Sequence, residues 1–125
     1  MTLAKKLTAL PGFRWEVGML VQQASGFAMR CTSAPTGDES AWGYNGESFG
    51  QPIGQEGDVP DLADNATGGV LLGWLAAMGM QPTADCDASS WDVGAGKPTE
   101  WRWSGNTPTL GEACAAALIA LGRCQ

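Results

Sequence analysis

PTEWRWSGNTPTLGEACAAALIALGRCQ, residues 98 to 125, reads as a short strand feeding the last helix, and the rest of the chain is read as built against it. Thr109 and Glu112 stand at the spacing of a capping box, in which a hydroxyl takes the backbone N–H three residues on and the carboxylate reaches back. Thr107 followed by Pro108 is a competing start. Leu110, Cys114, Ala117, Leu118 and Leu121 form one apolar stripe at the helical period, and Gly122 stops it. Alanines at 113, 115, 116, 117 and 120 keep the helix thin enough to lie close on a sheet. The preceding strand, Glu100 to Ser104, offers Trp101 and Trp103 on one face and Glu100, Arg102 and Ser104 on the other.

The 125 residues are expected to form a single domain with one hydrophobic core. The first residues hold two lysines with no uninterrupted apolar run after them, which is no secretory signal, so the expected location is the cytoplasm. Gly68 to Met80 is the longest apolar run and falls short of the about 20 residues that span a bilayer. Cys31, Cys86, Cys114 and Cys124 lack the spacing of a zinc ribbon, and there is no histidine, so no metal and no cofactor is expected. On one helix Cys114 and Cys124 would stand about 15 Å apart, too far to bridge, and buried reduced thiols are the simplest reading.

Charge is segregated along the chain. Between Arg30 and Lys97 there is no lysine or arginine, while Asp38, Glu39, Glu47, Glu56, Asp58, Asp61, Asp64, Asp85, Asp87 and Asp92 make the middle −10 within a net −6. That balance speaks against binding duplex nucleic acid, which needs a basic footprint. By itself it equally suits a protein kept soluble by its charge.

In chain order, Thr2 to Leu10 is expected as a short amphipathic helix that lids the core with Leu3, Leu7 and Leu10 and closes at Pro11-Gly12. From Phe13 the period becomes two, and Phe13, Trp15, Val17, Met19 and Val21 predict a half-buried strand with a large apolar inner face. Gln22 to Gly26 is a loop, and Phe27, Met29 and Cys31 alternate on the second arm of a hairpin. About 33 to 60 reads as a long Gly/acid/aromatic loop of the kind that moves or binds, with a short strand near Ser40 to Tyr44 that puts Trp42 and Tyr44 on one side. A second helix within Asp61 to Gly79 takes Asp64 as N-cap and Val70, Leu71, Trp74, Leu75 and Met78 as its apolar face. Gly69 and Gly73 suggest a small-residue track for close packing on the sheet, a better reading of these glycines than an anion cradle, because no phosphate-loop pattern follows Gly68-Gly69. Trp91 to Ala95 is a strand, and Asp85-Cys86-Asp87 a solvated loop. The predicted fold class is α+β, an antiparallel sheet packed with helices in the order α-β-β-(β)-α-β-β-α.

Without histidine a catalytic reading would rest on carboxylates or cysteine, and no partner for either is legible, nor any nucleophile elbow, phosphate loop or dinucleotide fingerprint. The expectation is a non-enzyme. Six tryptophans in a chain of this size are the least structural feature. Trp15, Trp74 and Trp91 fall on faces assigned to the core, whereas Trp42 in the loop and Trp101-Arg102-Trp103 suit stacking on a base and a charge-assisted bond to its phosphate. The competing reading places Trp101 and Trp103 on the inner sheet face with Arg102 exposed.

FRWEVGMLV, PDLADNATGGVLLGWL and WRWSGNTPTLGEACAAALIAL together resemble small accessory proteins of bacteriophages and prophages, and the last resembles the ending of the phage ABA-sandwich domain. The resemblance implies a phage accessory protein, the class from which counter-defence factors come, and it transfers no functional residue. Three functions follow as expectations. The first is sequestration of a nucleotide-like host immune signalling molecule by Trp42, Tyr44, Trp101 and Trp103 with Arg30 or Arg102. The second is an acidic inhibitor in which Asp38, Glu39, Glu47, Glu56 and Asp58 cover a basic nucleic-acid-binding surface of a host defence complex. The third is a small virion or assembly component, a homo-oligomer.

Overall fold

A computed structural model of the protein describes residues 2–33, 42–44, 51–54, 56–80, 82–86, 90–95, 102–103 and 107–125. Helix α3 (Leu110–Leu121) forms where the capping pattern predicts it: Thr109 is extended and its hydroxyl accepts the Glu112 N–H at 3.2 Å. Gly122 ends it at φ +78°, a left-handed conformation that residues with a Cβ resist. The reciprocal bond from the Thr109 N–H to the Glu112 carboxylate is not made, and Glu112 Oε2 is shielded from solvent without a hydrogen-bond partner. Burial on α3 is wider than the expected stripe. Ala113, Cys114, Ala115, Ala117 and Leu118 are all buried, while Leu110 and Leu121 are only half-buried. The cause is position: α3 packs at once against α1 (Leu3–Thr8), α2 (Asn65–Ala77) and a strand, β7 (Trp91–Ala95). Its alanines let three neighbours approach one helix.

Asp64 caps α2, its carboxylate accepting the Thr67 N–H at 2.9 Å, and Leu71, Trp74 and Leu75 are buried while Val70 and Met78 are half-buried. The small-residue track is elsewhere than expected. A Cβ built on Gly69 or Gly73 meets nothing within 4 Å, whereas one on Gly68 would lie 3.0 Å from the Gly111 nitrogen and one on Gly111 only 2.2 Å from the Leu62 carbonyl oxygen. Close packing here is of helix on helix and on the turn before α2, and it leaves no room for a Cβ at Gly111 and a tight fit for one at Gly68.

Two antiparallel sheets complete an α+β fold. The first has the order β4 (Gln51–Pro52), β3 (Trp42–Tyr44), β2 (Ala28–Ser33), β1 (Leu20–Gln22), β5 (Val59–Pro60), and the second β6 (Thr83–Cys86), β7, β8 (Arg102–Trp103). The hairpin β1–β2 pairs Leu20 with Arg30, Val21 with Met29 and Gln22 with Ala28. The inner face of the first sheet, Val21, Met29, Cys31, Gly43, Ile53 and Pro60, joins Leu7, Leu71, Trp74, Leu75, Val93 and Leu118 in the interior. Among the described residues no helix is long and apolar enough to cross a membrane.

Three expectations are corrected. The alternation from Phe13 to Val21 yields a strand only over Leu20–Gln22, because the Met19 N–H bonds Glu16 O and Gly18 turns the chain at φ +100°. Phe13 instead packs edge-on to Trp15 and Trp74, and Val17, expected inside, is 58% exposed. The stretch 33–60 holds the expected short strand as β3, and the part read as loop also supplies β4 and β5. Asp85 and Cys86 lie in strand β6, paired with Asp92 and Trp91, and not in a loop.

Candidate functional site

Alternation along β3 turns Gly43 inward and Trp42 and Tyr44 outward, where they are 45% and 47% exposed. Glycine leaves room between them, since a Cβ at 43 would stand 3.0 Å from both Ile53 Cγ2 and Met29 Cβ, tighter than an ordinary contact. The β2–β3 register sets Arg30 directly opposite Tyr44, so the guanidinium stem and the ring leave the sheet on the same face. Thr32 anchors the strand pair by donating its hydroxyl to the Trp42 carbonyl at 3.3 Å.

Arg30 is held in place by the segment that starts α2. Its Nη1 donates to the Gly18 carbonyl at 3.0 Å and to Asp64 Oδ2, and its Nη2 to Asp64 Oδ1 at 3.1 Å. Asp64 also accepts the Thr67 hydroxyl at 3.0 Å, and Thr67 Oγ1 in turn accepts the Leu20 N–H at 2.9 Å. Burial pushes the Asp64 carboxyl up, but the bonds from Arg30 and Thr67 outweigh it and hold the group below the ordinary carboxylate value. Three of the five guanidinium N–H donors are thus used, and the Arg30 side chain is still 42% exposed. The pair is electrically neutral and pre-ordered. It offers hydrogen bonds beside two aromatic rings more than a free positive charge.

Trp101 lies outside the described residues, as do the side chains of Arg102 and Trp103, whose backbone forms β8. Of the acids assigned to a partner surface, Asp38, Glu39 and Glu47 also lie outside the described residues. Glu56 is exposed. Asp58 corrects the expectation: it is 8% exposed and its carboxylate accepts the Gly54 N–H at 3.1 Å, so it serves the fold before any partner. Glu56 and Asp58 border a cavity of about 270 Å³ together with Thr8, Phe13, Trp15, Gly54 and Gly57. That meeting of aromatic rings and carboxylates joins segments some forty residues apart, and no local pattern announces it.

Three of the four cysteines, Cys31, Cys114 and Cys124, are buried. None of the four is in a disulfide, and burial raises the thiols of Cys31, Cys114 and Cys124, the last two to about 12 and about 11, which keeps them protonated at neutral pH. Among the described residues no three His, Cys, Asp or Glu side chains gather as a metal site. Comparison with protein-family models, with characterised proteins and with solved structures finds no match to this chain.

Proposed function

We propose that the protein is a non-enzymatic binding protein that sequesters a nucleotide-like molecule on the outer face of β2 and β3, acting for a bacteriophage against host immune signalling. The observation that supports the reading is the half-exposed pair Trp42 and Tyr44 with Arg30 across the ladder from Tyr44. Large aromatics left open on a sheet face mark a binding surface, and a π-face stacks on any nucleobase. The two remaining guanidinium donors of Arg30 suit carbonyl or phosphate oxygens of the same ligand. The phage and counter-defence part of the proposal rests on the resemblance of the sequence segments alone.

Titration calorimetry and thermal shift with cyclic nucleotides and ADP-ribose derivatives test it. Saturable one-site binding lost in Trp42→Ala is the expected result, and no stabilisation by any of these ligands removes the proposal.

A second reading, the acidic inhibitor, is favoured by the cavity bordered by Phe13, Trp15 and the exposed Glu56, where a basic side chain of a host protein would meet rings and a carboxylate. Pull-down from host lysate at low and high salt separates the two, since only this reading requires a salt-sensitive protein partner.

A further inference from the structure

The guanidinium of Arg30 is a flat group with three donor sides, and the fold uses two of them. Nη1 and Nη2 face Asp64 together as a bidentate pair, Nη1 donating to Oδ2 and Nη2 to Oδ1. The second Nη1 proton goes to the Gly18 carbonyl at 3.0 Å. What is left without a partner among the described residues is Nε–H and the Nη2–H beside it. These two lie on the third side, parallel and rigidly spaced because the group is planar, and form a fork for two adjacent acceptors. The fork is open: Nε makes no hydrogen bond, yet it is not shielded from solvent as the unpartnered Trp74 Nε1 is.

The three sides of a guanidinium point about 120° apart, so the open one turns away from both Gly18 and Asp64. Gly18 leads into β1, and β1 and β3 flank β2 on opposite sides, with Tyr44 of β3 directly across from Arg30. Cross-strand partners have Cβ atoms about 5 Å apart, so a planar ring lying on Tyr44 comes within reach of the arginine. Charge then decides which acceptor suits the fork. Asp64 pairs the guanidinium and Asp61 acts on it electrostatically as well, which sets one positive group among two carboxylates. A phosphate at the open side would enter surroundings that are already net negative, whereas a neutral edge carrying two lone pairs would not be repelled.

We propose that Arg30 reads the base of the ligand and that the base is guanine, which stacks on Tyr44 or Trp42 and turns its O6 and N7 to the free Nη2–H and Nε–H. The inference rests on the nucleotide reading and narrows it. O6 and N7 are adjacent acceptors on one edge, the pair to which arginine most often binds in nucleic acids. Adenine carries its N6 amine, a donor, where guanine has O6, and would set donor against donor. Asp64, itself held by the Thr67 N–H and hydroxyl, fixes the plane of the guanidinium, so the fork is set before the ligand arrives.

Calorimetric titration of the whole protein with GMP, IMP, 7-deaza-GMP and AMP, which share one ribose and one phosphate, tests the inference. IMP keeps O6 and N7 without the 2-amino group, and 7-deaza-GMP lacks only the N7 acceptor. GMP and IMP should bind alike and roughly tenfold or more tighter than AMP and 7-deaza-GMP, the discrimination a bidentate arginine pair supplies. Arg30→Lys, which keeps the charge and loses the fork, should bring the four to one affinity, and the ligand series decides alone should that variant fail to fold. Equal affinity for GMP and AMP, IMP as weak as AMP, 7-deaza-GMP as tight as GMP, or an unchanged preference in Arg30→Lys overturns the inference and leaves the nucleotide reading standing. Absence of saturable binding for all four overturns it as well, and the nucleotide reading falls with it only if the cyclic nucleotides and ADP-ribose derivatives also fail.

Discussion

Gly111→Ala and Gly73→Ala are the same substitution in two helices, and the structure assigns them opposite signs. In a helix interior, alanine is favoured over glycine by about 1 kcal/mol. At Gly73 the added methyl meets nothing within 4 Å, so that gain is kept. At Gly111 the methyl carbon would stand 2.2 Å from Leu62 O and 2.9 Å from Leu62 C and Cα, all backbone atoms. An ordinary C···O approach is about 3.3 Å, so α3 and the turn must part by about 1 Å. Overpacking of this kind costs about 1 to 3 kcal/mol. The bond from the Thr109 hydroxyl to the same Leu62 carbonyl, 2.8 Å long, is strained with it, a further loss of about 1 kcal/mol. Against the propensity gain, the net loss is about 1 to 3 kcal/mol for Gly111→Ala. At a size of 125 residues each kcal/mol moves the melting temperature by roughly 3 to 6 °C. Thermal melts followed by circular dichroism should therefore show Gly73→Ala rising and Gly111→Ala falling. A rise in Gly111→Ala equal to that in Gly73→Ala refutes the close approach of α3 to the turn.

Leu118 is fully buried, and Leu118→Ala should cost roughly 2 to 5 kcal/mol in denaturant unfolding, a large share of the about 5 to 15 kcal/mol that holds a domain. Trp42→Ala, removing a half-exposed ring, should leave the melting temperature within a few degrees while abolishing ligand capture, and unfolding as severe as in Leu118→Ala shows that Trp42 is core. Because the Asp64 carboxyl is held below its ordinary value of 3.8, its contribution is fully present above that value and is lost as pH falls through the lower folded one. Melting temperature against pH should thus fall on the acid side, and Asp64→Asn should flatten that limb. Under native conditions at pH 8, iodoacetamide should label Cys86, which is exposed, and spare Cys114 and Cys124 until the protein is unfolded, as read by peptide mass spectrometry.

The features legible in the sequence are those decided within a few residues. Thr109, Asp64 and Gly122 act as caps because a hydroxyl, a carboxylate or a missing Cβ serves backbone groups of the same turn. The β1–β2 hairpin and the shared face of Trp42 and Tyr44 follow from alternation, which is a property of one strand. That Arg30 stands opposite Tyr44 depends on register, and that Asp64 holds it depends on a contact across 34 positions. Phe13 to Met19 has the alternation of a strand, yet the Met19 N–H turns back to Glu16 O, only Gly18 N–H and Met19 O reach Cys31 of β2, and the Phe13 ring finds Trp74. Hydrophobic period states which side chains seek the interior and leaves open the backbone path that takes them there. Gly68, Gly111 and the stranded Glu112 oxygen carry no local mark at all. Their roles arise where α2, α3 and the turn at Leu62 meet, and only the packing of those three segments decides which atoms touch and which are left without a partner.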